Sequence, residues 1–346
     1  MGGTALSDID PYAAGRSLLG EMHRLSMPTA IDLKVNFELG GARQFVAIRG
    51  TDTANPLILF IHGGPASTEL PIAWTYQRPW EDFFTVAQWD QRGAGLSFPL
   101  NEPETLGPTL TFERYCDDAI ELIELLCARY EKQKVIIVGH SWGSAVGLAV
   151  SIKRPDLVHA YVGVAQVIDF LKNEREGYAW TLSEAARTKN ADALSELNAI
   201  SPYPQEHALD LEKTRVERKW VRSFGGFAAY RDDTNFHSHS FLLSPAHSIA
   251  DGQAIGAGFS FTMPRMWPQL ATISFSGVKH IKVPILLFLG RHDRVSFPHI
   301  AEQWLADLDA PFKELVWFER SAHLPMFEEP GKFLAALVER VGPLTT

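Results

Sequence analysis

Short, almost continuously apolar runs alternate along this chain with longer stretches in which apolar residues recur every three or four positions. LILFIH (57–62), FTVAQWD (84–90), KVIIVGH (134–140), AYVGVAQ (160–166), VPILLFLG (283–290) and KELVWFE (313–319) are of the first kind. Runs with so little polar alternation suit strands covered on both faces, as in a parallel sheet between helix layers. Residues 34–50, KVNFELGGARQFVAIRG, differ, because polar and apolar positions alternate on either side of Gly40-Gly41. That pattern predicts an antiparallel hairpin at a sheet edge. Between 111 and 130, Phe112, Tyr115, Cys116, Ala119, Ile120, Ile123 and Cys127 recur at helical spacing, with Glu113, Asp117, Glu121 and Glu124 interleaved. Strands alternating with helices predict an α/β fold: a mostly parallel central sheet with helices on both faces.

One interval breaks this rhythm. Residues 166 to 282 far exceed the dozen or so that a strand-to-strand crossover needs, and most of them read as helix or loop. The expectation is an inserted, mainly helical cap over 167–275, with 1–166 and 276–346 forming the sheet core. Thr181 and Glu184 have capping-box spacing and predict a first cap helix starting near Thr181. A second is expected from about Gln205 to Phe224, after Pro202 and Pro204. Phe224, Phe227, Tyr230, Phe236, Phe241, Phe259, Phe261 and Trp267 make this interval aromatic, enough for a small core and part of an apolar pocket.

Composition narrows the class of partner. The 346 residues are 46% apolar and 21% charged, the balance of a chain that folds on its own rather than a disordered one. Lysines and arginines number 32 against 41 acidic residues, a net charge of −9, and no basic run could track a phosphate backbone. Neither nucleic acid nor a membrane is therefore an expected partner, and no stretch approaches the ~18 apolar residues of a membrane span. The start, MGGTALSDID, lacks the basic and apolar regions of a secretory signal, so a cytoplasmic location is expected. Gly2 would suit myristoylation, but that motif asks for Ser or Thr where the chain has Leu6. Cys116 and Cys127 on one helix would lie about 16 Å apart at ~1.5 Å per residue, too far for a disulfide.

Candidate chemistry lies at the ends of the predicted strands. GHSWG (139–143) is a G-x-S-x-G that follows the strand KVIIV and opens the small-residue helix SAVGLAV, the context in which such a serine sits on a sharp strand-to-helix turn. Glycines at 139 and 143 would let strand and helix approach without a Cβ clash. A serine hydroxyl needs a base, and the base needs a partner that fixes its tautomer. GRHD (290–293) follows VPILLFLG and RSAHLP (320–325) follows KELVWFE, placing Asp293 and His323 where open α/β sheets bind ligands. Ser141, Asp293 and His323, in that chain order, are the expected nucleophile, orienting acid and base. His62, His140 and His292 compete for the base role but belong to other motifs. HGGPA (62–66) after LILFI would supply the oxyanion loop, with the N–H groups of Gly64 and Trp142 as donors and Gly63 as the alternative. His237, His239 and His247, with Asp232, Asp233 and Asp251 nearby, show no metal-ligand spacing, and neither metal nor cofactor is expected.

These motifs resemble the proline iminopeptidase branch of the α/β hydrolases. HGGPA is similar to its HGGPG, WDQRGAGLS (89–97) to its D-Q-R-G-x-G-x-S, and GHSWG to its G-G-S-W-G with His140 in place of a glycine. The likeness covers roughly 45–165 and 283–330. It implies the α/β-hydrolase fold, the triad Ser141–Asp293–His323, a helical cap, and structural roles for Asp90 and Arg92. Cap glutamates bind the substrate's free amine in that branch, but its acidic-aromatic segment is absent here. Glu174 and Glu176 in NEREGY are the nearest substrate-binding candidates, ahead of Glu184, Glu206 and Glu217. The expected activity is hydrolysis of a small ester or amide, on a small-molecule or short-peptide substrate. A carboxylesterase or a C–C bond hydrolase without aminopeptidase activity is the alternative, and a ligand receptor on the same fold a further one.

Overall fold

The computed structural model describes residues 10–345; Gly2 and Leu6, weighed above for lipid modification, lie outside them. In chain order the main elements begin with helix α1 (Ala13–Met22) and strands β1 (Ile31–Leu39), β2 (Ala42–Gly50), β3 (Leu57–Ile61) and β4 (Thr85–Trp89). Helix α2 (Phe112–Arg129), β5 (Val135–His140), α3 (Trp142–Lys153) and β6 (Val158–Val164) follow. Next come α4 (Phe170–Arg187), α5 (Ala191–Ala199), α6 (Leu211–Ser223), α7 (Asn235–Leu242) and α8 (Ile249–Leu270). The chain closes with β7 (Ile285–Gly290), α9 (Pro298–Asp307), β8 (Lys313–Phe318) and α10 (Pro330–Ala336).

All eight strands join one sheet in the order β1-β2-β4-β3-β5-β6-β7-β8. β1 and β2 form the predicted antiparallel hairpin, turned by Gly40 and Gly41 at φ of 52° and 72°, values that L side chains rarely adopt. β2 runs antiparallel to β4, and every later pairing is parallel. Alternate residues of each central strand feed opposite faces. Leu57, Leu59, Ile61, Val135 and Ile137 pack with α2, α3 and α9. Ile58, Phe60, Ile136, Val138 and Phe288 pack with Trp80 and Phe333 on the other side, where those two rings stack 5.0 Å apart. Strand order reverses between β3 and β5, so a crevice opens at their carboxyl ends. Cys116 and Cys127 are both free and buried in α2.

The helical segment between β6 and β7 departs from expectation at its boundaries. α4 begins at Phe170, not near Thr181, because the Asp169 side chain accepts from the Lys172 N–H at 2.7 Å and caps it earlier. Thr181 lies inside that helix, its hydroxyl turned back onto the Gly177 carbonyl at 2.7 Å. α6 begins at Leu211 rather than Gln205, capped by Asp210 at the N–H groups of Glu212 and Lys213. α8 continues through Pro264 and Pro268, and its Met263, Met266, Trp267 and Leu270 join the same core as the strands. A third, smaller core of Ala185, Ala193, Leu197, Ile200, Tyr203 and Trp220 ties α4, α5 and α6 to one another. Among the described residues no helix is long and apolar enough to cross a membrane.

Candidate active site

β5 delivers Ser141 to the sheet's carboxyl edge. Its backbone is held at φ 53°, ψ −117°, a strained conformation fixed by its N–H donating to the Val164 carbonyl (3.0 Å) and its carbonyl accepting from the Ser144 N–H (2.9 Å). The flanking glycines fit the steric argument made from sequence. A Cβ on Gly139 would run into the Gly143 carbonyl, and one on Gly143 into the carbonyls of Ile61 and His62.

His323 follows β8 and Asp293 follows β7, and the fold brings both to Ser141. The His323 Nε2 lies 3.0 Å from the Ser141 Oγ, and its Nδ1 lies 2.9 Å from the Asp293 Oδ2. The other Asp293 oxygen accepts the Val295 and Ser296 N–H groups at 2.8 and 2.9 Å. A carboxylate so placed can only accept, so His323 carries its proton on Nδ1 and offers the Nε2 lone pair to the serine. Burial pushes His323 below its ordinary pKa; Asp293 opposes this and His140 adds to it. Backbone bonds clamp the surroundings. The His323 N–H donates to the Phe227 carbonyl (3.0 Å), the Arg294 N–H to the Gly226 carbonyl (2.9 Å), and the Ala229 N–H to Glu328 (2.6 Å). Segment 226–229, between α6 and α7, is thus fastened to the loop that carries the histidine.

The HGGPA loop follows β3 and faces Ser141. Gly63 donates its N–H to the Glu69 carboxylate at 3.3 Å, whereas the Gly64 N–H has no protein acceptor among the described residues. Trp142 opens α3, where a helix leaves its first N–H groups unpaired. Gln91, from the DQRG segment after β4, fixes both sides: its amide donates to the His62 carbonyl (2.8 Å) and its oxygen accepts from the Trp142 indole (2.9 Å). Asp90 accepts the Leu96 N–H, and buried Arg92 grips Asp118 through two bonds of 2.7 and 2.9 Å. Neither Asp90 nor Arg92 lines the cavity at Ser141.

His140 stands beside His323, ring centroids 4.9 Å apart. Its Nε2 donates to the His323 carbonyl at 2.8 Å, and its Nδ1 forms a short bond with Glu69. Because a carbonyl only accepts, Nε2 keeps a proton and a second lies between Nδ1 and the carboxylate. Burial disfavours the charged forms, yet each partner's charge prevails: Glu69 holds His140 above its ordinary pKa, and His140 holds Glu69 below its own.

A cavity of about 440 Å³ opens over Ser141 and His323, lined also by Gly64, Glu69, Phe170, Met263 and Trp267. Glu174 reaches it, buried and fully engaged: its oxygens accept from Arg218 and, at 2.5 Å, from the Tyr203 hydroxyl. Glu176 does not; it pairs with His299 at 2.7 Å away from the cavity. Buried Glu217 takes the other side of Arg218, and desolvation pushes it up to about 7 despite that guanidinium. Sequence reasoning did not single out Glu69, Gln91, Arg218 or Arg222; the DQRG motif was the one signal that could have pointed to Gln91. The histidines weighed for a metal are dispersed, His237 in the cavity wall, His239 against Tyr12 and His247 against Ser244. Among the described residues no three His, Cys, Asp or Glu side chains gather as a metal site.

Residues 56–330 match the family model described as the alpha/beta hydrolase fold. The chain is 32% identical over 320 residues to a probable aminopeptidase, YbaC, of Bacillus subtilis strain 168, covering 89% of this chain and 96% of that one. A proline iminopeptidase of Saccharolobus solfataricus is 24% identical, over 83% of this chain and 84% of its own. Among solved structures, the proline iminopeptidase of Mycobacterium smegmatis superposes with a TM-score of 0.63 at 17% identity, over 90% of this chain and 99% of its own, a likeness of fold. With the family model spanning most of its length, this chain belongs to the alpha/beta hydrolase fold family and is a hydrolase.

Proposed function

We infer that the chain is a serine hydrolase that cleaves a small ester or amide through an acyl-enzyme, with Ser141 as nucleophile, His323 as general base and Asp293 as the acid that orients it. The observation that carries this reading is the linked geometry of Ser141 Oγ to His323 Nε2 at 3.0 Å and His323 Nδ1 to Asp293 at 2.9 Å, inside a cavity. In the first step His323 takes the serine proton as Oγ attacks the acyl carbon, then returns it to the leaving atom. Gly64 and Trp142 receive the oxyanion; the engagement of Gly63 by Glu69 supports Gly64 over its neighbour. Segment 167–275 serves as a cap whose inner wall selects the substrate.

A second reading, aminopeptidase activity, is favoured by one feature besides the relatives' names. Glu174 and Glu217 share a single guanidinium, that of Arg218, so the cluster holds more carboxylate than cation beside the cavity. Against it, both Glu174 oxygens already have donors, so an entering ammonium would have to compete with Arg218 and Tyr203. Ser141→Ala should abolish hydrolysis and labelling by a fluorophosphonate while the fold persists. A panel of amino-acid arylamides against short acyl esters then separates the two readings. Full activity in the alanine variant, or label on another serine, overturns the assignment.

A further inference from the structure

Among the cations on the cavity wall, Arg222 stands apart. Arg218 meets Glu174 and Glu217, Arg215 meets Glu212, and Lys219 meets Glu196. Arg222, one helical turn beyond Arg218 on α6, also lines the cavity, yet among the described residues its guanidinium has neither a carboxylate nor a hydrogen-bond acceptor. It lies over the face of Phe227, 5.3 Å from the ring centroid. Burial and the like charge of Arg218 push its pKa down, the signature of a cation left uncompensated. His237 lines the same cavity, and among the described residues its ring nitrogens have no hydrogen-bond partner either. Burial lowers its pKa; the charges of Arg222 and His140 lower it further and Glu69 opposes them. Glu69 gives one oxygen, Oε1, to His140 and Gly63, and its buried Oε2 has no hydrogen-bond partner among the described residues. Among the described residues, no carboxylate of the protein's own pairs with the Arg222 guanidinium or the His237 ring, although Glu69 lies on the same wall.

Position decides what such donors would hold. Phe227 packs its ring 5.7 Å from that of His323, and its carbonyl accepts the His323 N–H. Arg222, Phe227 and His323 therefore follow one another along the wall. A base that returns its proton to the leaving atom must have the leaving group against it, so the group that departs from the acyl carbon lies on the side where Phe227 and Arg222 stand.

We propose that Arg222, with His237, forms a carboxylate subsite for the leaving group, so that the preferred substrates are esters or amides whose departing alcohol or amine bears a carboxylate, such as the C-terminal amino acid of a short peptide. The proposal rests on the serine-hydrolase reading. The bond between acyl carbon and leaving atom breaks, that atom takes the proton from His323, and the acyl group stays on Ser141 until water releases it as the acid. The leaving group's carboxylate takes no part in the bond changes; held by Arg222, it aligns the scissile bond.

The test compares two isosteric substrates with the full chain: the butyryl ester of 3-hydroxybenzoate, which carries the charge, and that of 3-hydroxybenzamide, which does not. The wild-type enzyme should favour the charged ester in kcat/KM by about 10- to 100-fold. Arg222→Gln should bring the ratio close to one, and Arg222→Lys should retain part of the preference, since it keeps the charge and loses the planar fork. A merely structural Arg222 would lower both esters together and leave the ratio intact, which overturns the proposal, as does a wild-type ratio near one. Turnover of the neutral ester, abolished by Ser141→Ala, reports separately on the serine-hydrolase reading. If neither ester is cleaved, that reading falls and the subsite with it.

Discussion

Replacing Asp293 by asparagine is the most demanding test of the geometry, because the structure dictates which way the amide must point. Asp293 accepts two backbone N–H groups, those of Val295 and Ser296, on one oxygen and meets His323 Nδ1 with the other. In the asparagine variant the amide oxygen must stay with the two N–H donors, since an NH₂ there would face them donor to donor and leave them unsatisfied. The NH₂ group then points at Nδ1, which has to accept, and the ring proton moves to Nε2. That nitrogen faces the Ser141 Oγ at 3.0 Å and can no longer take its proton. The expected loss is about 10⁴ in kcat, equivalent to ~5.5 kcal/mol of transition-state stabilisation at 1.36 kcal/mol per decade. Steady-state hydrolysis of a chromogenic ester measures the loss, the fluorophosphonate labelling rate should fall in parallel, and thermal unfolding should show a folded protein. A variant retaining more than about a tenth of wild-type kcat would refute the tautomer argument and point to a different orienting acid.

Further expectations follow from burial and packing. Because burial and the charge of His140 hold His323 down, that imidazole stays unprotonated to lower pH than an ordinary histidine. The acid limb of kcat/KM should thus have its midpoint below ~6.5; a midpoint at or above that value contradicts the assignment of the base. Gly143→Ala forces a Cβ against the carbonyls of Ile61 and His62, which are backbone and cannot rotate away, so it should destabilise by about 3 kcal/mol in urea unfolding. An unchanged urea midpoint would mean that the elbow is looser than its packing indicates. Arg92→Met leaves buried Asp118 with only Arg114 and Gln44, and a loss of about 3–5 kcal/mol is expected from the same measurement.

The sheet and its carboxyl edge were legible because their signals are local. An apolar run of strand length, a Gly-Gly turn and a glycine-flanked serine each state their geometry within a few residues. The helical segment was read less well where local signals competed. Thr181 and Glu184 have the spacing of a cap, but Asp169 lies earlier and captures the helix start, leaving Thr181 to bond within the helix. Pro264 and Pro268 argue for a break, yet α8 runs through both while its apolar face packs onto the core. Of the cavity's electrostatics, only the presence of Glu174 was legible, not its pairing. Glu174 and Arg218 lie 44 residues apart and meet only because α4 and α6 pack together, and no periodicity in either helix announces that pairing. The same holds for Glu69, which meets His140 across 71 residues.

The clamp formed by residues 226–229 bears on how such an enzyme could be re-engineered. A lid that only rested on the sheet could be exchanged between relatives like an interchangeable part, changing substrate preference while turnover survived. Here the backbone of the helical segment between β6 and β7 holds that of His323, through the Phe227 carbonyl and the His323 N–H, with neighbouring bonds to Arg294 and Glu328. Grafting a foreign lid without this tetrapeptide would shift the imbalance onto the imidazole itself. Libraries that diversify this segment are best bounded on either side of Gly226 and Ala229, so that new pockets are explored around a stationary His323.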